Sequence, residues 1–339
     1  MSRKKPIVLL VAAIVVAPIL TLGGMLAFGT AAPPPPLASV YDNVRRIDQS
    51  DLPPLERFTA RDGSALAYRA WPGGDERVVV LVHGSSGRSS NMNPLAKMLV
   101  ADGATVYAMD MRGHGESGRR GDIDYIGQMD DDMADFMALI RPHHPGARFT
   151  LIGFSSGGGF ALRSAGGRDP DLFDSYILLA PYLGPRAPSS RADSGNWVAP
   201  YTGRIIALVV LDRLGIHWFD GLPVLAFAKR PDPQEPAPLW SFRLMANFGP
   251  GLDADAIRDF ERARKPVALL VGGDDDEMFA DAYAPMLKPA RPDIPVEVVP
   301  GIGHIGMTFE PAALAAIRAV FDEASARSAL VRGGDSGLR

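Results

Sequence analysis

The sequence contains no cysteine in 339 residues. Disulfide bridges, thiolate zinc sites, thiol nucleophiles and lipid attachment through a cysteine are excluded at once. An oxidising compartment is not, because a protein there functions without disulfides. An excess of basic charge is also missing. The 35 Lys and Arg residues are outnumbered by 39 Asp and Glu, for a net charge of −4, so the basic footprint of a nucleic-acid binder is absent and no nucleic-acid partner is expected. Glycine and proline are abundant, at 36 and 30 residues. They follow no repeat, which excludes collagen and implies many turns. The length suits one large domain with an insertion, or two modest ones.

Charge is missing altogether between Lys5 and Asp42. Residues 7–28, IVLLVAAIVVAPILTLGGMLAF, are long enough as a helix (about 33 Å) to cross the hydrocarbon core of a bilayer. Arg3, Lys4 and Lys5 precede the run, and basic residues stay on the cytoplasmic side. The expectation over 1–30 is therefore a single-pass transmembrane anchor with a cytoplasmic N-terminus and the remainder on the outer side. The alternative is a signal peptide cut near Gly29-Thr30-Ala31, which would leave a secreted protein. The apolar run exceeds the roughly 7–15 residues usual for a signal peptide, which favours the anchor. Residues 31–54 read as a linker in which Pro33 to Pro36 form a stiff, extended spacer.

From Leu55 onward short apolar runs alternate with longer amphipathic ones, the pattern of a mostly parallel sheet covered by helices. Strands are expected over 78–83, 105–110, 148–153, 176–180, 267–272 and 296–300. An opening hairpin is expected from 55–59 and 65–70, turned by Arg61-Asp62-Gly63. Helices are expected over 94–102, 126–141, 156–166, 280–287 and 311–326. The rhythm breaks between about 183 and 265, a Pro- and aromatic-rich stretch holding Trp197, Trp218 and Trp240. This reads as a mostly helical cap inserted into a core of 55–182 and 266–328, and 329–339 reads as a frayed polar tail.

The chemistry gathers at the ends of the expected strands. Gly153-Phe154-Ser155-Ser156-Gly157 fits G-x-S-x-G between a strand and a helix, where a sharp turn needs small residues and pushes the serine hydroxyl out at the sheet edge. Ser155 is the candidate nucleophile; an ordinary Gly-rich turn is the plain alternative. A serine needs a base that a third group orients. His304, in Gly301-Ile302-Gly303-His304, follows the last strand and is the histidine that comes after both nucleophile and acid. His143 and His144 sit in a polar stretch and read as surface residues. The acid is expected from Asp274-Asp275-Asp276-Glu277 at the end of the strand VALLVG. Asp276, three residues after Gly273 and followed by Met278-Phe279, is the expected acid, with Asp275 as the alternative. Such an acidic cluster is also compatible with a divalent cation, although adjacent carboxylates without spaced ligands more often form a solvated loop. His83-Gly84-Ser85-Ser86-Gly87 follows the strand VVVLVH as a tight turn, and the backbone N–H groups of Ser85 and Ser156 are the expected oxyanion donors.

These residues together resemble the α/β-hydrolase superfamily, and within it the serine aminopeptidase and monoacylglycerol-lipase-like branch. HGSSG at 83–87, DMRGHGES at 110–117, GFSSGG at 153–158 and GIGH at 301–304 occur in the family's order, across about 55–325. The resemblance implies an α/β-hydrolase fold and loop-building roles for Asp110, Arg112 and His114. It also implies an acyl-enzyme mechanism through Ser155, His304 and Asp276 with no cofactor or metal. The expected activity is hydrolysis of a small-molecule carboxylic ester, hydrophobic or lipid-like in view of the apolar cap runs and the anchor, with the membrane as partner through the N-terminal helix. The rivals are a serine aminopeptidase and a non-catalytic binding protein of the same fold.

Overall fold

The computed structural model describes residues 4–228, 230, 237–252 and 255–335, with side chains omitted at 4–15, 193 and 325–335. Its chain begins with α1 (Lys4–Phe28) and α2 (Ala38–Arg46) and then forms β1 (Glu56–Thr59), β2 (Ala65–Trp71) and β3 (Arg77–Val82). Next come α3 (Asn93–Ala101), β4 (Thr105–Met109), α4 (Gln128–Ile140), β5 (Arg148–Phe154), α5 (Ser156–Ala165) and β6 (Ser175–Leu179). An inserted region holds β7 (Val198–Pro200), α6 (Thr202–Arg213), β8 (Pro223–Phe227), β9 (Leu239–Ser241), α7 (Phe242–Asn247) and α8 (Ala256–Arg262). The core resumes with β10 (Val267–Gly272), α9 (Tyr283–Leu287), β11 (Val296–Val299) and α10 (Pro311–Asp335).

Eight strands form one sheet in the order β1-β2-β4-β3-β5-β6-β10-β11. The β1–β2 and β2–β4 pairs are antiparallel, and the remaining pairs are parallel. The sequence explains the division. The central strands RVVVLV, SYILL and VALLVG are buried along nearly their whole length, as strands covered on both faces must be. The edge strand ERFT buries only Phe58. Because the parallel strands point one way, the segments after β3, β4, β5, β10 and β11 all emerge at one edge, where open α/β sheets place their sites.

The inserted region departs from the mostly helical cap that composition suggests. It contains a three-stranded antiparallel sheet, β7-β8-β9. These strands run only three to five residues, too short for alternation to register, and β7 ends on Pro200. The expected linker also contains α2. This helix buries Val40 and turns Tyr41 onto the cap, where its hydroxyl donates to Ala228 O at 2.8 Å and its ring meets Trp197 edge-on at 6.0 Å.

At the N-terminus the apolar run is helical, but among the described residues no helix is long and apolar enough to cross a membrane, so the expected transmembrane span is not found there. The end of α1 lies beside the cap helix α6: Arg204 Nε donates to Leu26 O at 2.8 Å, and Leu26 packs on Leu208, Val224 and Phe242. Arg3 and residues 336–339 lie outside the described residues, and the expected tail is helical in its backbone as far as Asp335.

Beneath the sheet edge one buried ion pair fixes the β4–α4 connection. Arg112 meets both carboxylate oxygens of Asp132 at 2.7 and 2.8 Å and Asp62 at 2.9 Å. Burial raises the Asp132 carboxyl, with Arg112 opposing. Removing one member of a buried pair leaves an uncompensated charge, which costs about 3–5 kcal/mol. Asp132→Ala is therefore expected to lower unfolding stability by about that amount in urea titrations, and Asp62→Ala, at the more open partner, by clearly less.

Candidate active site

Ser155 sits between β5 and α5 with φ 54° and ψ −117°, a conformation that L residues rarely adopt. The turn is held on both sides. Ser155 N donates to Leu179 O at 2.9 Å, and Ser155 O accepts from the amides of Gly158, Gly159 and Tyr182. The flanking glycines are steric necessities. A Cβ on Gly153 would lie 2.1 Å from Gly157 O, and one on Gly157 would lie 2.5 Å from His83 O. The G-x-S-x-G pattern is therefore the sequence form of a close approach between β5, α5 and the end of β3. Ser156 opens α5, where the first backbone N–H groups have no partner within the helix.

The HGSSG loop lies directly against this turn: a Cβ on Gly84 would fall 3.1 Å from Ser155 Cβ. Ser86 has a positive φ of 60°, and Ser85 Oγ accepts from Trp197 Nε1 of the cap at 3.1 Å. His83 braces the loop from beneath. Its Nδ1–H donates to Gly84 O at 2.7 Å, and its Nε2 accepts from Met111 N at 3.1 Å. Burial pushes its pKa down, consistent with a neutral ring in that tautomer.

The DMRGHGES run builds the neighbouring loop. Asp110 accepts from Ser89 N at 2.6 Å and Glu116 N at 2.9 Å, and Ser117 Oγ accepts from Ala67 N at 2.8 Å. His114 is buried among His83, Trp240 and Phe248. None of these side chains is bonded to Ser155 or His304. His144 departs from its surface reading: it is buried, and its Nε2 meets the Tyr107 hydroxyl at 2.8 Å.

His304 follows β11 and is 1% exposed, with its ring centroid 4.9 Å from that of Phe154. Its Nδ1 lies 2.8 Å from Asp275 Oδ2. The acid that meets the histidine is thus Asp275, and the expectation of Asp276 is corrected: Asp276 is exposed. The reason is a local turn. Asp275 Oδ1 accepts from Glu277 N at 2.9 Å and Met278 N at 2.7 Å, an Asx-type turn. It leaves Asp275 and Glu277 buried at 3% each, with Asp276 outside between them. Adjacent aspartates look alike in sequence; the turn separates them.

Glu277 was not singled out by the sequence. Its Oε2 lies 3.5 Å from His304 Nε2, so the imidazole stands between two buried carboxylates. Burial pushes Glu277 up to about 7. For His304, burial acts downward, but the carboxylates of Glu277 and Asp275 outweigh it and raise the imidazole. Nε2 has no hydrogen-bond partner among the described residues, which leaves it unbonded to the Ser155 hydroxyl. The signal available in sequence was an acid two residues beyond Asp275, on the same side of an Asx turn.

Among the described residues, the acid loop does not gather three ligand atoms for a cation. The one group that does is Asp212, His217 and Asp220 in the cap, with ligating atoms within 4.8 Å of one another. It lies on the wall of a cavity of about 660 Å³ that is lined by none of Ser155, Asp275 and His304.

Comparison with known proteins places the chain in a family. The sequence profile of the serine aminopeptidase S33 family matches residues 74–311. The chain belongs to that family. It is an enzyme with the α/β-hydrolase fold. It is 26% identical to a monoacylglycerol lipase of Mycolicibacterium smegmatis over 255 residues, covering 73% of this chain and 88% of that one. It is 29% identical to a 2-(acetamidomethylene)succinate hydrolase of Mesorhizobium japonicum over 244 residues, covering 68% and 82%. The crystal structure of a monoglyceride lipase from Saccharomyces cerevisiae superposes with a TM-score of 0.60 at 17% identity, over 83% of this chain and 96% of that one, and shares the fold.

The reversal from Asp276 to Asp275 has a direct test. Asp275→Asn replaces the carboxylate that fixes the histidine tautomer with an amide and is expected to lower kcat about 10⁴-fold, as in the Ser-His-Asp template. Asp276→Asn is expected to stay within about threefold of the parent, since surface changes rarely disturb a site. Both are read with a p-nitrophenyl ester.

Proposed function

We propose that this protein is a serine hydrolase that cleaves lipid-like carboxylic esters, of the monoacylglycerol or lysophospholipid type, through Ser155, His304 and Asp275. The observation that carries the reading is the 2.8 Å His304–Asp275 pair, buried beside a serine held in a strained strand-to-helix turn. In the reaction, His304 Nε2 takes the Ser155 hydroxyl proton while Oγ attacks the acyl carbon. The backbone N–H groups of Ser85 and Ser156 hold the oxyanion. Nε2 then gives the proton to the departing alcohol, leaving an acyl-enzyme. Water, deprotonated by the same histidine, releases the acid and restores the serine. Asp275 holds Nδ1–H throughout and stabilises the imidazolium.

The lipid-like substrate class rests on two supports. The family relative with 88% of its length matched is a monoacylglycerol lipase. The cap presents Ile206 and Val210 on one face of α6, Leu214 just beyond its end, and then Trp218 and Phe219, all exposed, as an apolar surface suited to a lipid or membrane contact.

Matched panels of p-nitrophenyl esters and aminoacyl-p-nitroanilides test the function. Ester turnover is expected to exceed anilide turnover by at least 100-fold and to rise with acyl length. Ser155→Ala is expected to lose nearly all of it, because triad members act as a unit. Faster anilide turnover would make the protein an aminopeptidase, and inactivity on both would favour a binding protein.

A further inference from the structure

The active-site histidine has more acid around it than the reaction requires. Asp275 alone satisfies Nδ1, yet Glu277 is buried with its Oε2 3.5 Å from Nε2, the nitrogen that must accept the serine proton. An ionised carboxylate inside a protein needs a partner, and His304 is the cation placed to supply it. We propose that Glu277 is a positioning residue that forms an ion pair with protonated His304 on its Nε2 side in the resting enzyme, so that the base becomes available to Ser155 only when the Glu277–His304 pair has given up a proton. This rests on the serine-hydrolase reading above.

The groups around the pair support this assignment. From the acid loop, Asp275 and Asp276 both add negative potential at His304. From the nucleophile turn, Phe154 and Ser155 bring no charge. From α9, the buried Tyr283 gives its hydroxyl to Pro181 O at 2.7 Å. From the cap, Arg191 bonds the backbone carbonyls of Asp275 and Met278, at 3.3 and 3.2 Å, and its guanidinium lies over the Phe279 ring. The cation nearest to Glu277's carboxylate that the structure records is therefore the imidazole itself. The acid loop is also clamped from the cap, by Phe279 N donating to Ser189 O at 2.8 Å, so Glu277 is not free to swing out with a loose loop.

The proton balance is simple. In the resting state Nδ1–H faces Asp275 and Nε2–H faces Glu277, with both carboxylates ionised. Loss of one proton to solvent leaves a neutral imidazole with an Nε2 lone pair, which then accepts the proton of Ser155 as its oxygen attacks. Because Glu277 stabilises the protonated form, it moves the onset of activity to higher pH. Replacing it by glutamine keeps size and hydrogen-bonding groups but removes the charge.

The test is the pH dependence of kcat/KM on a p-nitrophenyl ester with the full chain, for the parent, Glu277→Gln and Glu277→Asp. The acid-side midpoint of the parent is expected to lie above the ordinary histidine value of about 6.5. Glu277→Gln is expected to lower it by at least one pH unit, which makes the variant about tenfold faster than the parent below both midpoints. Glu277→Asp, which keeps the charge, is expected to restore much of the shift. An unchanged midpoint, with or without a lower plateau, would mean that Glu277 only packs and would overturn the proposal. A second readout is the NMR titration of labelled His304 in the parent, assigned with His304→Gln. It does not depend on turnover or on the variant's folding, and a midpoint at or below 6.5 overturns the proposal on its own. An inactive parent whose His304 still titrates high would refute the hydrolase reading and leave the pairing intact.

Discussion

The left-handed turn at Ser155 is the constraint from which the rest of the site follows. Holding a serine at φ 54° and ψ −117° costs on the order of 1–3 kcal/mol, and the surroundings must impose it. They do so through close backbone approaches at the middle of the sheet. β3, β5 and β6 lie side by side, and the start of α5 presses so closely onto the carbonyls at the end of β3 that only glycine fits at 157, and so closely onto the end of β5 that only glycine fits at 153. The same approach brings the HGSSG loop against the serine. One steric requirement thus places Ser155, the opening amides of α5 and the loop at 84–87 at a single point.

Opposite that point, electrostatics takes over from sterics. The loop after β10 carries four consecutive acids, and an Asx-type turn divides them. Asp275 and Glu277 go in, and Asp276 goes out. Two inward carboxylates would be an expensive burial without a cation, and the imidazole of His304 supplies it. The histidine is thereby poised more strongly than a single aspartate would make it. The cap takes part in both halves, because Trp197 holds Ser85 Oγ and Arg191 holds the acid-loop backbone.

Much of this could be read from residue order. The central strands are continuous apolar runs, which is what burial on both faces demands, and the glycine-bracketed serine named its own turn. What escaped the sequence did so for physical reasons. Asp275 and Asp276 are chemically identical, and only the direction of a side-chain hydrogen bond to the next two amides tells them apart. Glu277 looked like one more solvated acid because its burial depends on that same turn. The β7–β8–β9 sheet is made of strands too short to show alternation, and α2 was hidden behind a proline run that suggested a spacer. His144 looked like a surface residue because its neighbours are prolines and glycine, although its ring is bonded to Tyr107.

The central claim is that Ser155 is the activated nucleophile of this site. It is tested most directly by treating the full chain with a diethyl phosphate ester such as paraoxon and locating the adduct by peptide mass spectrometry. The account predicts one diethylphosphoryl group, on the peptide containing Ser155, formed in a time-dependent and saturable way. Modification of a different serine, or no adduct on a folded protein, would contradict it.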